Sequence, residues 1–118
     1  MPRKILLADD DERILKLYAR IFTGKDYLTT KASSFREAAD LIKVNDYDLL
    51  VTDLQFPDGL GTELIKFFEK KRSGSKSLLV TGSLPSREEL ADTGVSEYLE
   101  KPLNIEKFIS VVEKKLNA

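Results

Sequence analysis

The chain has 118 residues, a size typical of one domain with a core of its own. Hydrophobic residues make up 42% and charged residues 33%, with a net charge of −1, which indicates a globular fold rather than a disordered segment. Cysteine and histidine are absent, which excludes disulfides, thiolate nucleophiles, zinc clusters, Ser-His-Asp triads and phosphohistidine.

Charge and hydropathy also set expectations about partners and location. Nineteen Lys and Arg stand against 20 Asp and Glu, and no basic arm stands out, so we expect no direct nucleic acid binding by this domain. No apolar run approaches membrane-spanning length, and the first residues do not precede a signal-peptide core. We expect one domain over residues 1–118, no membrane association and, by default, a cytoplasmic location.

The first half of the chain alternates apolar runs with segments of helical periodicity. Residues 5–8 form a first, central strand, followed by three acids and a helix that stops at Gly24. Residues 28–32 form a short second strand, and Ser34-x-x-Glu37 is a capping box that predicts a second helix. The apolar residues at helical spacing are Ile14, Leu17, Tyr18, Ile21 and Phe22 in the first helix and Ala38, Leu41 and Ile42 in the second.

The same alternation continues through the second half. A third strand, 49–53, is stopped by Pro57 and Gly59, and a third helix starts near Thr62 and ends at cations 70–72 and Gly74. A fourth strand, 77–81, ends in a hydroxyl.

The last part of the chain predicts two helices and a strand between them. Ser86-x-x-Glu89 predicts a short fourth helix that stops at Gly94. The fifth strand, 97–100, is more polar and is expected at the sheet edge, and Asn104 caps a last helix. That helix carries one apolar face of Ile105, Phe108, Ile109, Val112 and Leu116. Five strand–helix units in this order predict an α/β fold with a parallel sheet and helices on both faces.

Reactive side chains lie at or just after the ends of four of the five predicted strands. Asp9 and Asp10 follow the first strand, Asp53 ends the third, Thr81 ends the fourth and Lys101 follows the fifth. Because the carboxyl ends of parallel strands meet at one edge, these groups can share one pocket. Clustered carboxylates repel one another unless a cation intervenes, and without histidine or cysteine that cation must take oxygen ligands, which favours Mg²⁺, Mn²⁺ or Ca²⁺.

This arrangement is suited to phosphoryl chemistry. Asp10 and Asp53 are candidate direct metal ligands, and a backbone carbonyl near Gln55 is a third. The metal and Lys101 would offset phosphoryl charge while Asp53 attacks in line. Simpler interpretations exist for each residue: the acids at 9–11 as helix caps, Asp53 as a turn former, Thr81 as a strand residue, Lys101 as a solvated charge. Of these acids, we expect Asp11 to cap the first helix.

Together these motifs resemble the receiver domain of two-component response regulators. The resemblance rests on Ala8-Asp9-Asp10-Asp11, Asp53-Leu54-x-Phe56-Pro57 with Gly61, Val80-Thr81-Gly82 and Tyr98-x-x-Lys101-Pro102, in order along the whole chain. It implies a flavodoxin-like, doubly wound (βα)5 fold with a five-stranded parallel sheet in the order 2-1-3-4-5. It also implies a cis peptide bond at Lys101-Pro102.

The resemblance further implies a role for each site residue. Asp53 would be the phosphorylated residue, with Mg²⁺ (or Mn²⁺) held directly by Asp10 and mostly through water by Asp9. Thr81 would hydrogen-bond the phosphoryl group and Lys101 would pair with it. Tyr98 resembles the aromatic switch residue that turns inward when Thr81 moves; taken alone, Tyr98 is a packing residue.

By the same resemblance the chain is a phosphorylation-dependent signalling switch. Its partners would be a sensor histidine kinase or a histidine phosphotransfer protein, with a downstream effector protein or domain. It would not be an enzyme beyond self-phosphorylation from a phosphodonor and self-dephosphorylation. The surface altered would be the fourth helix, the fifth strand and the last helix. The segment 81–94 is short for the family, and Leu60 stands where the family often has Asp.

Three alternative functions are less consistent with these residues. Asp9-x-Asp11 imitates the motif of haloacid-dehalogenase-like phosphatases, but Glu12-Arg13 follows where that family has Thr or Val, and there is no cap domain. A receiver-like binding module that is never phosphorylated is the second alternative, and the complete set of site residues argues against it. Nucleotide or flavin binding is disfavoured because no glycine-rich phosphate loop is present.

Overall fold

The computed structural model describes residues 2–72, 74–82, 88 and 98–117. In that part of the chain the strands are β1 (Arg3–Ala8), β2 (Tyr27–Ala32), β3 (Leu49–Thr52), β4 (Gln55–Phe56), β5 (Gly59–Leu60), β6 (Lys76–Thr81) and β7 (Tyr98–Glu100). The helices are α1 (Glu12–Phe22), α2 (Phe35–Val44), α3 (Gly61–Lys71) and a C-terminal helix (Ile105–Leu116).

Five of the strands form one parallel sheet in the order β2-β1-β3-β6-β7. Numbered along this sheet alone, that is the expected 2-1-3-4-5 order, so the fold prediction is confirmed. The polar last strand, β7, lies at an edge, also as expected. The first strand is interior but not central, because the middle position of the sheet belongs to β3.

Helices cover both faces of the sheet, and each face has its own apolar core. Neighbouring strand residues point to opposite faces, so Leu7 packs with α1 and the C-terminal helix while Leu6 packs with α2 and α3. Tyr18 of α1 stacks on Phe108 of the C-terminal helix, with ring centroids 5.2 Å apart. These helices clamp the sheet from both sides and fix the strand ends at one edge.

The predicted caps are found at three helix starts. Asp11 accepts a hydrogen bond from the N–H of Arg13 at 2.9 Å and caps α1, and Asn104 caps the C-terminal helix through Lys107 at 3.1 Å. Ser34 accepts from the N–H of Glu37 at 3.0 Å. The return bond of the expected capping box is displaced by one residue: Glu37 accepts from the N–H of Ser33, at 2.6 Å.

A small hairpin follows β3, and the sequence did not predict it. β4 and β5 pair antiparallel over two residues each, and Asp58 in the turn between them reaches across to α2. Its carboxylate accepts the N–H groups of Phe35 and Arg36, both at 3.0 Å. The loop that follows the third strand is therefore tied to the start of α2.

Part of the sequence prediction falls beyond the described residues. The second capping box (Ser86 and Glu89), the fourth helix up to Gly94 and the first residue of the predicted fifth strand are in this group. Within the described ranges, no helix is long and apolar enough to cross a membrane.

Candidate functional site

Asp53 follows β3 directly, at the carboxyl edge of the sheet. Its N–H donates to the carbonyl of Ala8 at 3.1 Å, so the backbone still follows the neighbouring strand one residue beyond the end of β3. Its side-chain Oδ1 accepts the N–H of Leu54 at 2.8 Å, and the hydroxyl of Thr52 donates to its carbonyl oxygen at 2.9 Å. Two hydrogen bonds to the backbone and one to the carboxylate thus fix the partly buried Asp53 at the sheet edge.

Asp9 and Asp10 follow β1, beside Asp53, in different environments. Asp9 is fully buried; its N–H donates to Ala32 at 3.1 Å, and its Oδ1 accepts the N–H of Asp11 at 2.8 Å. Asp10 is exposed. One acid is therefore held by the protein while the other faces solvent.

Among the described residues, Lys101 is the only cation that forms an ion pair with Asp9 or Asp53. Its Nζ lies 2.8 Å from Oδ2 of Asp9 and 3.5 Å from Oδ2 of Asp53. Its N–H donates to the carbonyl of Thr81 at 2.9 Å, which ties the start of this loop to the end of β6. The peptide bond between Lys101 and Pro102 is cis, as the resemblance implied.

Burial and charge shift the acid–base behaviour of this ion pair. Burial raises the pKa of Asp9, and the hydrogen bonds from Lys101 and Asp11 offset that effect only in part. Burial alone would lower the pKa of Lys101, but its hydrogen bond to Asp9 and the charges of Asp9 and Asp53 raise it. Lys101 is therefore a fixed positive charge at the site at any physiological pH.

The carboxylates suit a hard divalent cation. One oxygen from each of Asp9, Asp10 and Asp53 lies within 4.8 Å of the others. Three carboxylates and one ammonium leave a local charge of about −2, and like charges this close repel one another. Oxygen-only donors of this kind are the ligands of Mg²⁺, which binds through one or two carboxylates, waters and phosphate oxygens. The residues present fit a magnesium site.

The other predicted residues lie around this group. Thr81 is buried at the end of β6, next to Lys101, and Tyr98 begins the adjacent β7, where it packs on the core shared by α2 and α3. Gln55 is exposed and starts the small hairpin. The structure brings Asp9, Asp10, Asp53 and Lys101 together directly, with Thr81 and Tyr98 on β6 and β7 and Gln55 on the small hairpin.

Gly61 holds the loop closed beneath Asp53. Its N–H donates to the carbonyl of Leu54 at 2.6 Å. A Cβ at this position would overlap the carbonyl oxygen of Asp53 and would lie 2.9 Å from its carbonyl carbon. Only glycine permits this approach of the start of α3 to the backbone of Asp53.

Two features of the site were missed by the sequence interpretation. Lys101 was expected to pair with a phosphoryl group, and here it hydrogen-bonds Asp9 across 92 residues of sequence. The sequence interpretation gave Asp58 no role, whereas the structure shows that it caps α2. Neither contact has a local sequence signal, because each joins segments far apart in the chain.

Comparison with known proteins decides the family. Residues 5–113 match the family model described as the response regulator receiver domain. The chain belongs to this family. Receiver domains are signalling modules, so this receiver domain is a phosphorylation-dependent component of two-component signalling.

Individual relatives agree with this assignment. The receiver domain is 30% identical over 112 residues to the transcriptional regulatory protein CitT of Bacillus subtilis, covering 92% of this chain and half of CitT. It is 24% identical over 120 residues to the polar-differentiation response regulator DivK of Brucella anthropi, covering 98% of both chains. The CheY-like receiver domain protein of Methanospirillum hungatei superposes with a TM-score of 0.90 at 30% identity, covering 99% of this chain and 95% of that one.

Because the chain spans only half of CitT, the activity of that whole protein does not transfer to it. The relatives give no support to the dehalogenase-like phosphatase or to an unphosphorylated module. The coarse function predicted from the sequence, a two-component receiver, is confirmed.

Proposed function

We propose that Asp53 is the residue of this receiver domain that takes the phosphoryl group. The observation that carries this proposal is the position of its carboxylate: at the end of the middle strand, 3.5 Å from the ammonium of Lys101 and grouped with two further acids. Asp58, on the same loop, is instead committed to capping α2. Of the two acids on this loop, Asp53 is therefore the one placed for phosphorylation, whereas Asp58 stabilises the fold.

The transfer is a displacement at phosphorus. A carboxylate oxygen of Asp53 attacks the phosphorus of a phosphohistidine or a small acyl phosphate, a new O–P bond forms, and the leaving group departs with the electron pair of the broken bond. Oδ1 accepts the N–H of Leu54, and Oδ2 lies 3.5 Å from the ammonium of Lys101, so Oδ2 is the proposed attacking atom. Lys101 donates to the phosphoryl oxygens with a hydrogen on Nζ not committed to Asp9.

Asp9, Asp10, Asp53 and the backbone carbonyl of Gln55 are the proposed holders of Mg²⁺, with Mn²⁺ as a substitute. When bound, the ion supplies positive charge that balances the acids and the transferred phosphoryl oxygens. The chain contributes the rest. It fixes Asp53 through three hydrogen bonds, keeps Asp9 buried and hydrogen-bonded to Lys101, and leaves Asp10 open to solvent.

The signal would leave the site through Thr81 and Tyr98. A phosphoryl group adds acceptor oxygens that draw in the hydroxyl of Thr81, and the ring of Tyr98 fills the vacated space. This alters the surface of the segment 86–93, of β7 and of the C-terminal helix. A bias of a few kcal/mol between two packings is enough for such a switch.

The proposed partners follow from the chemistry of transfer. A sensor histidine kinase or a histidine phosphotransfer protein would donate the phosphoryl group, and an effector protein or domain would read the altered surface. The domain would catalyse only its own phosphorylation and dephosphorylation. A cytoplasmic location stays a prediction of the sequence.

The experiment is phosphorylation by acetyl phosphate with and without Mg²⁺, followed by hydroxylamine. An acyl phosphate on a carboxylate forms only with Mg²⁺ and is removed by hydroxylamine. A stable adduct would point to a hydroxyl acceptor instead, and no adduct would favour the unphosphorylated module. Sustained turnover of a phosphomonoester would favour the phosphatase.

A further inference from the structure

A second charged pocket lies at the opposite edge of the sheet from Asp53, where the strands begin. Its wall is formed by the start of β1, the turn before β3, the end of α3, the start of β6 and the end of the C-terminal helix. The cavity has a volume of about 110 Å³, several times what one water molecule requires. Its lining residues include Arg3, Asp48, Arg72, Ser75, Lys76 and Lys115.

Asp48 organises the arginines of this pocket. Its Oδ2 accepts the N–H of Lys4 at 2.8 Å, and its Oδ1 lies 4.0 Å from Arg3 and 3.6 Å from Arg72. Both guanidinium groups remain about half exposed, at 51% and 52% of the side chain. Two planar forks are therefore held at one carboxylate by long contacts. Arg72 also donates to the carbonyl of Tyr47 at 3.4 Å, and most of the other guanidinium N–H groups have no partner among the described residues.

The residues that line the pocket carry more positive than negative charge. Arg3, Arg72, Lys76 and Lys115 give four positive charges against one from Asp48. The carboxyl ends of α3 and of the C-terminal helix add about half a negative charge each, which explains one cation but not four. The excess is about two positive charges. Lys76 and Lys115 have no ion pair with any residue that the structure describes.

Ser75 adds an unsatisfied donor at the pocket wall. Its Oγ is buried and has no hydrogen-bond partner among the described residues. A buried hydroxyl without a partner is unfavourable, and a turn of this side chain toward the cavity would give it an acceptor there. The excess positive charge and the Ser75 hydroxyl, unpaired among the described residues, therefore both favour the same kind of ligand, an anion with several acceptor oxygens.

We propose that this pocket is a binding site for one phosphate group, separate from the phosphorylation site. A phosphate group carries about −1.5 to −2 charge at neutral pH, which matches the excess, and arginine forks bind its oxygens in pairs. The cations surround one concave pocket instead of forming a stripe along the surface, and the chain as a whole has a net charge of −1. This favours a single phosphate over a nucleic acid.

The test follows amide signals while inorganic phosphate is added at constant ionic strength and without Mg²⁺, so that the acidic site repels the probe. Signals of Gly74, Ser75 and Lys76 should shift and saturate. The double variant Lys76→Gln/Lys115→Gln should weaken binding about tenfold or more, since it removes two charged donors that have no described partner in the fold.

The matched control is Lys16→Gln/Lys31→Gln, which changes the net charge equally at exposed positions of α1 and β2. It should bind phosphate like the parent. Glucose 6-phosphate in a parallel titration separates a site for free phosphate, which would reject the ester, from a site for phosphate esters, which would accept it. Non-saturating shifts, shifts matched by chloride, or equal affinities in the two double variants would each overturn the proposal.

Discussion

Gly61→Ala tests whether the start of α3 positions Asp53. A carbon and a carbonyl oxygen normally stay about 3.3 Å or more apart, whereas the added Cβ would overlap the oxygen of Asp53. Either the backbone of Asp53 or the first turn of α3 must then move by about 1.5 Å. Overpacking of this kind costs about 1–3 kcal/mol, or a fall in Tm of about 4–12 °C for a domain of this size.

The same shift should slow phosphorylation. A misplacement of about 1 Å at a reacting group can reduce a rate about a hundredfold. The control is Gly82→Ala, also next to a strand end, where a Cβ would meet no atom of the described residues within 4 Å. Thermal unfolding and the rate of phosphorylation by acetyl phosphate are compared for both. If Gly61→Ala matches Gly82→Ala in both measurements, close packing of Gly61 does not position Asp53.

Three further predictions test other parts of the account. Asp10→Ala should weaken Mg²⁺ binding strongly in calorimetry, and more than Asp9→Ala does. It should also raise Tm in metal-free buffer because it relieves repulsion among the acids. A parent-like Mg²⁺ affinity in both variants would place the metal elsewhere. Thr81→Ala should still accept phosphate. In the parent, the amide shifts caused by Mg²⁺ and beryllofluoride should concentrate at residues 81–101, and in Thr81→Ala they should be much weaker near Tyr98. Undiminished shifts would exclude signalling from Thr81 to Tyr98. Asp58→Asn should destabilise the domain at neutral pH, because the N–H groups of Arg36 and Phe35 stabilise the ionised carboxylate and lower the pKa of Asp58. This stabilisation is complete above the ordinary pKa of 3.8 and is lost as pH falls below it, so the difference in unfolding free energy between parent and variant, measured with urea, should disappear in acid.

Much of the fold could be predicted because its signals are local. β1, β3 and β6 each contain an apolar run, whereas β2 is a short strand with two threonines and a lysine in it. Asp11, Ser34 and Asn104 mark helix starts with side chains that cap them. The small hairpin has strands of two residues, too short for any periodic pattern to show. The position of β1 could not be read from its composition, because both β1 and β3 are buried apolar strands and only pairing decides which is in the middle.

The functional site likewise has features that the sequence could predict and contacts that it could not. Acids at strand ends could be gathered into one group from topology alone, since parallel strands end at one edge. The bond from Lys101 to Asp9, the cap that Asp58 places on α2 and the basic pocket around Asp48 each depend on side chains from distant segments. A sequence pattern contains no measure of such distances, so these contacts needed three-dimensional structure.

The most direct test of the account is intact mass after incubation with acetyl phosphate and Mg²⁺, comparing the parent with Asp53→Asn and Asp58→Asn. Both substitutions replace a carboxylate by an amide on the same loop, but only Asp53 lies with Asp9, Asp10 and Lys101. The parent and Asp58→Asn should each gain one phosphoryl group, and Asp53→Asn should gain none. A full adduct on Asp53→Asn, or its loss in Asp58→Asn with the fold intact, would contradict the assignment of Asp53.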